Sequence, residues 1–325
     1  MAKIVLHLKA GDVSGELKGW HLALYREIRA LCGAHGIPFE CRARDADIRV
    51  GTRSLPDRRF DDGNLHIIDD RSLQAANVLN AGVAYFWEYW HLDAQGTKAF
   101  SSIGGRHYEP AAVSETRSRT FAANLRKRYR DKRRSKYDQP MDQRSFAQGA
   151  LAVFFQGDYP VKSGASTWDD LEILEAVQAE AGDRPIVVKP HPHSSTKTDM
   201  YRLQKAAQMD TRITVTDANV HDILAASACT VSVNSTVALE GFLQGVPAIL
   251  FGRADFHHVA ACVDQETRFA AALDQALARQ VDYDRYLAWY FLKNCLHLRS
   301  GRLHDRLFER FEGAGFPRSR LQRSP

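Results

Sequence analysis

Apolar positions change their period several times along the chain, and each change marks an expected element. Residues 3–8 are strand formers, Lys-Ile-Val-Leu-His-Leu, and run into the turn Gly11-Asp12-Val13-Ser14-Gly15. From residue 16 to 31, Leu17, Trp20, Leu24 and Ile28 recur at helical spacing. The pattern predicts a strand, a glycine-containing turn and a helix. Further short strands are expected at 38–44, 47–50 and 64–69, and a helix of small residues at 72–83. The first part of the chain is thus an α/β layer structure by expectation.

The later pattern is simpler. Short apolar runs at 150–155, 185–189, 211–215, 229–233 and 247–251 are separated by helical stretches at 168–181, 198–208, 220–226 and 235–244. Runs that are apolar at nearly every position are buried on both faces, which implies a parallel sheet wound with helices. Ligands of such sheets bind outside the carboxyl ends of the strands. A last amphipathic helix is expected over 286–311, with Leu287, Tyr290, Phe291, Cys295, Leu298, Leu303, Leu307 and Phe311 on one face.

Length and charge add the domain division. At 325 residues the chain favours two domains, and 44% hydrophobic with 26% charged residues excludes a disordered or collagen-like chain. The segment 114–148 is too charged to form a core and is expected as a linker or edge. It places an N-terminal domain at 1–148, a second domain at 149–280 and C-terminal helices at 281–325. Within the segment, 117–136 concentrates Arg117, Arg119, Arg126, Lys127, Arg128, Arg130, Lys132, Arg133, Arg134 and Lys136. Such density suits either a solvated helix or an anionic partner: lipid, nucleic acid or acidic polysaccharide. No apolar run approaches the roughly 18 residues a spanning helix needs, and the start is too short for a signal peptide, so a cytoplasmic or peripheral location is expected. The cysteines, Cys32, Cys41, Cys229, Cys262 and Cys295, are odd in number and scattered without a Cys-x-x-Cys pair, the pattern of reduced thiols rather than zinc ligands.

Candidate chemistry falls at the expected strand ends. After 186–189 comes Lys189-Pro190-His191-Pro192-His193. A histidine between two prolines has a restricted backbone, and its imidazole can donate to a phosphate oxygen beside the Lys189 ammonium. His191 and His193 lack a third ligand set by spacing, so no metal is expected. After 229–233 comes Asn234-Ser235-Thr236, with Glu240 one to two turns further on. Hydroxyls that cap a helix, with its free N–H groups, suit an anionic phosphate, and Glu240 suits ribose hydroxyls; a well-capped helix with an exposed Glu explains the same residues.

Taken in order, Phe154-Phe-Gln-Gly-Asp158, Val187-Val-Lys-Pro-His-Pro192, the stretch 215–224, Val231-Ser-Val-Asn-Ser-Thr-Val-Ala-Leu-Glu240 and Gly245-Val-Pro-Ala-Ile-Leu-Phe-Gly252 resemble the capsule polysaccharide biosynthesis family. Its known members are bacterial transferases of Kdo (3-deoxy-D-manno-octulosonic acid) that use CMP-Kdo. The resemblance covers about 150–258. It implies a GT-B fold: two Rossmann-like domains facing a cleft, the C-terminal one holding the CMP-sugar and the N-terminal one presenting a polysaccharide or glycolipid acceptor. By that likeness His191, with Lys189 and Pro192 beside it, contacts the donor phosphate, and Asn234, Ser235 and Thr236 hold phosphate or ribose. Glu240 binds ribose, and Gln156 and Asp158 line the cleft. No cofactor is expected beyond the CMP-sugar donor, and no nucleic acid. The basic stretch 117–136 would then lie against anionic membrane. Where the family carries a tyrosine after the last strand, this chain has Phe256-His257-His258.

Transfer from a CMP-sugar needs stabilisation of the leaving phosphate and a carboxylate as nucleophile or base. Asp12 and then Glu16 are the candidates, although a Gly-Asp turn also caps a helix. Asp45 and Asp47 have the spacing of a metal-dependent transferase but lead into a strand. Arg106 and His107 follow a glycine loop and are acceptor-binding candidates. The aromatic stretch 85–91 suits either sugar stacking or a core. Two further functions stay open at this point: a CDP-polyol phosphotransferase of the teichoic-acid type, and a non-catalytic GT-B-like protein that binds nucleotide or polysaccharide.

Overall fold

The structure is a computed structural model that describes residues 1–13 and 15–322. Its strands are β1 (Ile4–Leu8), β2 (Phe39–Ala43), β3 (Leu65–Asp69), β4 (Val78–Val83), β5 (Tyr89–Asp93), β6 (Ala150–Phe154), β7 (Ile186–Lys189), β8 (Ile213–Val215), β9 (Ser227–Ser232), β10 (Ala248–Leu250), β11 (Ala261–Cys262) and β12 (Leu296–His297). The chain divides into two compact units, one of Met1–Arg106 with Phe291–Pro325 and one of His107–Tyr290.

The first unit holds a sheet ordered β12-β5-β4-β3-β1-β2. β2, β1, β3 and β4 run parallel, and β5 reverses against β4. Alternation along β1 sends Ile4, Leu6 and Leu8 to one core with Leu24, Ile28 and Leu31 of the helix Ala23–Ala34, and with Leu307 and Phe311 of the helix Leu303–Gly313. His7 is on the other face, where its Nε2 lies 3.0 Å from His66 Nδ1, and His66 Nε2 lies 2.9 Å from Asp62.

The second unit holds an all-parallel sheet ordered β11-β10-β9-β6-β7-β8. Leu151 and Val153 of β6 pack to one side with Leu174 and Val177 of the helix Asp170–Glu180, whereas Ala150, Ala152 and Phe154 pack to the other against Ile223 and Leu224. Burial on both faces is what made these strands continuous apolar runs.

Several expectations change. The helix expected at 72–83 is β4 instead. Asn77 takes a left-handed φ of 61°, which ends any helix there, and the Asn80 amide is satisfied in the sheet interior by Leu73 N–H and C=O at 2.8 and 2.9 Å. The strand expected at 47–50 is a turn, with Asp45, Asp47 and Asp57 gathered on the Arg59 guanidinium. The helix expected from 16 starts at Ala23, because Leu17, at a φ of 55°, turns into the core from a loop, and the turn expected at 11–15 begins in a short helix, Ala10–Val13. The single helix expected over 286–311 is interrupted: after Tyr283–Ala288 and a π turn at Trp289–Asn294, β12 pairs with β5, Leu296 opposite Trp90. The stretch 85–91 is mostly core, since Tyr85, Phe86, Tyr89, Trp90 and His91 are buried.

The division near 148 also moves. The helix Glu115–Arg128 buries Phe121, Ala122 and Leu125 and belongs to the second unit, where Arg126 pairs with Asp284 and donates to Leu243 C=O at 2.8 Å. The C-terminal division lies at Phe291 rather than 281. Among the described residues no helix is long and apolar enough to cross a membrane.

Candidate functional site

The loops after β6, β7, β9 and β10 meet at the carboxyl edge of the second sheet, and four contacts fix their positions. After β6, the N–H groups of Gln156 (2.9 Å) and Gly157 (2.7 Å) donate to the Asp170 carboxylate. Asp170 is buried at the start of its helix, and burial pushes its pKa up to about 6 despite those two bonds. Gln156 and Asn234 then exchange hydrogen bonds: Gln156 Nε2 donates to Asn234 Oδ1 at 2.9 Å and Asn234 N–H donates to Gln156 Oε1 at 2.8 Å. Asn234 Nδ2 goes on to Arg253 C=O at 2.8 Å. Finally, Gly157 has a φ of 68° and lies so near the loop after β7 that a Cβ would come within 2.6 Å of Ser194.

The loop after β7 holds His191 by its own backbone. His193 N–H donates to His191 Nδ1 at 3.1 Å, and His191 N–H donates to Ser195 Oγ at 2.9 Å. An Nδ1 that accepts leaves the ring proton on Nε2, so the neutral imidazole presents an Nε2–H donor. Partial burial is the largest cause lowering the His191 pKa, followed by His193 and Lys136. Lys189 differs from its expected role: its ammonium donates to Asp217 C=O at 2.7 Å and Ala218 C=O at 2.8 Å, tying β7 to the turn after β8. Pro192 is exposed, and Asp158 is exposed and paired with Lys162.

After β9, Ser235 Oγ accepts from Val237 N–H at 3.3 Å, capping the short helix Val237–Phe242, while Thr236 makes no capping bond. Glu240 is corrected most. It is 1% exposed, and Ser135 Oγ donates to its Oε1 at 2.7 Å, so the carboxyl is covered rather than open to a ribose. Burial pushes its pKa up to about 7. His221 Nε2 lies 3.9 Å from Glu240 Oε2, but that nitrogen donates to Arg134 C=O at 2.8 Å and burial lowers the His221 pKa. Burial drives both groups toward neutrality, and the pair is not an ion pair.

A carboxyl whose pKa is higher in the fold than its ordinary 4.5 contributes stability that is complete below that value and lost as pH rises through about 7. Glu240→Gln is therefore expected to gain on the native chain between pH 5 and 8, by on the order of 3 kcal/mol. Urea denaturation across that range checks it; a constant difference between the two proteins would contradict the buried acid.

Asp12, Glu16 and Arg106 belong to the first unit and His107 to the second. Asp12 Oδ1 lies 3.5 Å from His21 Nε2, and Glu16 is exposed and paired with Lys18; Ser14 between them lies outside the described residues. Arg106 donates to Asn294 Oδ1 at 2.8 Å, a contact that positions the chain at Asn294, and His107 is exposed. Sequence reasoning missed Asp170, Ser135, Tyr137 and His221. Asp169-Asp170 after Trp168 is visible as a helix start, whereas Ser135 and Tyr137 sit in a run whose charge hides them. No three His, Cys, Asp or Glu side chains among the described residues are grouped to hold a metal.

Two solved structures resemble most of the chain, both from Thermosulfurimonas dismutans KpsC. Its beta Kdo 2,4 transferase matches with a TM-score of 0.52 and 14% identity, covering 91% of this chain and 92% of that one. Its beta Kdo 2,7 transferase matches with a TM-score of 0.54 and 12% identity over the same shares. At such identity the likeness concerns the fold, which is GT-B-like. No curated protein matches by sequence. The family model described as capsule polysaccharide biosynthesis protein matches residues 114–292. That range is more than half of the chain and takes in the strand-end loops around His191 and Asn234, and by it the chain belongs to the capsule polysaccharide biosynthesis family.

Proposed function

We propose that the chain is a glycosyltransferase that moves an acidic sugar, Kdo, from CMP-Kdo to a surface polysaccharide or glycolipid, without a metal. The observation that carries this reading is the His191 imidazole, whose Nδ1 is taken by His193 N–H so that the ring keeps an Nε2–H donor with no hydrogen bond among the described residues, at the carboxyl edge of a parallel sheet. Such a donor suits the phosphate oxygen on which charge develops as the bond from the sugar to CMP breaks. Family membership supports the substrate class, and the KpsC transferases of the same fold act on Kdo.

In this reading Gln156, Asn234 and Lys189 shape the site rather than touch the donor, because their polar atoms are used between loops. Ser235, Thr236 and Pro192 face the donor, and Asp158 lines its approach. Glu240 reaches ribose only if Ser135 moves. Asp12 supplies the carboxylate, with Glu16 second, and Arg106 and His107 lie on the acceptor side. The exposed Arg117, Arg119, Lys127, Lys132 and Arg134 would hold the enzyme against anionic lipid on the cytoplasmic face.

Thermal shift with CMP, CDP, UMP, UDP and GDP tests the donor. A ligand at about 100 times its Kd adds roughly 2.7 kcal/mol. Stabilisation by CMP above the others is expected. Preference for UDP or GDP would remove the Kdo reading, preference for CDP would favour a polyol-phosphate donor, and no shift would favour a non-catalytic role.

A further inference from the structure

We propose that Tyr137, carried on a strap pinned across the second unit, is a positioning residue that holds the His191 imidazole in the orientation and tautomer it needs. The inference rests on the proposed role of His191 and adds a residue outside the strand-end motifs.

The strap follows the basic helix Glu115–Arg128 and is fixed at both ends to the start of the helix Val220–Ala226. At its near end Arg133 makes a two-pronged ion pair with Asp222, its Nη2 3.0 Å from Oδ2. There also, Asn219 Nδ2 donates to Arg133 C=O at 3.0 Å and His221 Nε2 donates to Arg134 C=O at 2.8 Å. At its far end Asn219 Nδ2 donates to Pro140 C=O at 3.0 Å and Val220 N–H donates to Gln139 Oε1 at 3.2 Å. Charge attraction to a surface would require none of these bonds.

Between the anchors the side chains at 135 and 137 turn toward the sheet's carboxyl edge. Ser135 meets Glu240, and the Tyr137 ring packs edge-on against both imidazoles of the His-Pro loop, 5.1 Å from His191 and 5.4 Å from His193 by ring centroids. One short span therefore touches both motifs that carry the donor-site reading. The groups that face His191 are Tyr137 and Lys136 from the strap and His193 and Ser195 from its own loop. The Tyr137 ring shields the imidazole from water, and with Lys136 and His193 it favours the neutral form in which Nε2 keeps its proton.

The test is nitrogen-15 NMR of the full chain labelled at histidine, with the His191 signals assigned by their loss in His191→Ala. Tyr137→Phe keeps the ring and is expected to leave the His191 tautomer and titration unchanged, with CMP affinity within about twofold. Tyr137→Ala and Tyr137→Leu are expected to raise the His191 titration midpoint toward 6.5, mix its tautomers and weaken CMP binding by about tenfold, which is about 1.4 kcal/mol. A folded Ala or Leu variant with the native His191 titration would overturn the proposal, as would a Phe variant that behaves like Ala. If His191→Ala binds CMP as the native chain does, the donor-site reading fails, and the His191 titration in the Tyr137 variants still decides what the ring does.

Discussion

On the proposed function, removing the His191 imidazole is expected to slow sugar transfer from CMP-Kdo by about 10²–10⁴-fold, the range over which a positioned proton donor acts. The side chain is only partly buried, and it meets the edges of the Tyr137 and His193 rings and accepts one N–H. Its loss should therefore cost stability little, within about 1 kcal/mol. Turnover and urea denaturation of His191→Ala measured side by side separate the two effects. A rate within threefold of the native protein would remove the imidazole from the chemistry, and a large drop in stability would make it a packing residue.

The second large effect is expected at Gly157, where fold and site meet. Gly157→Ala puts a Cβ on a residue with a φ of 68° and within 2.6 Å of Ser194 Cβ and 2.8 Å of its carbonyl oxygen. The left-handed backbone costs about 1 kcal/mol for a non-glycine residue, and the forced contact adds about 1–3 kcal/mol. Because Ser194 is backbone-adjacent to His193, relief of the clash moves the loop whose N–H fixes His191 Nδ1. Loss of about 2–4 kcal/mol of stability together with weakened CMP binding is the expected outcome, read by denaturation and calorimetry. Alanine tolerated there with native affinity would mean that the two loops do not depend on each other.

The second sheet was legible in the sequence because its strands are buried on both faces, so that Ala150–Phe154 and Ile186–Lys189 stand out as apolar runs with polar residues at their carboxyl ends. β4 was not legible. Its Asn80, Ala81 and Gly82 look like helix or loop, and it is the Leu73 backbone, folded over the sheet, together with the Asp93 carbonyl that makes a buried asparagine acceptable. β12 is two residues long and pairs with a strand some two hundred positions away, beyond any local pattern.

The candidate site divides in the same way. The position of His191 follows from a strand end and two prolines, both local. The fates of Glu240, Lys189 and Gln156 depend on distant partners: Ser135, the Asp217 and Ala218 carbonyls, and Asn234. Charge density misled most. The stripe Phe121, Ala122 and Leu125 is narrow among arginines, so a helix packed into the second unit passed for a linker, and with it the strap that carries Ser135 and Tyr137.

The most direct measurement is release of CMP from CMP-Kdo by the purified chain with a Kdo-terminated oligosaccharide acceptor, alongside CMP-sialic acid and UDP-sugars, in the presence of a metal chelator. The proposed function requires acceptor-dependent CMP release from CMP-Kdo that persists with the chelator and falls in His191→Ala. Turnover of a UDP-sugar in place of CMP-Kdo, or release abolished by the chelator, would contradict it.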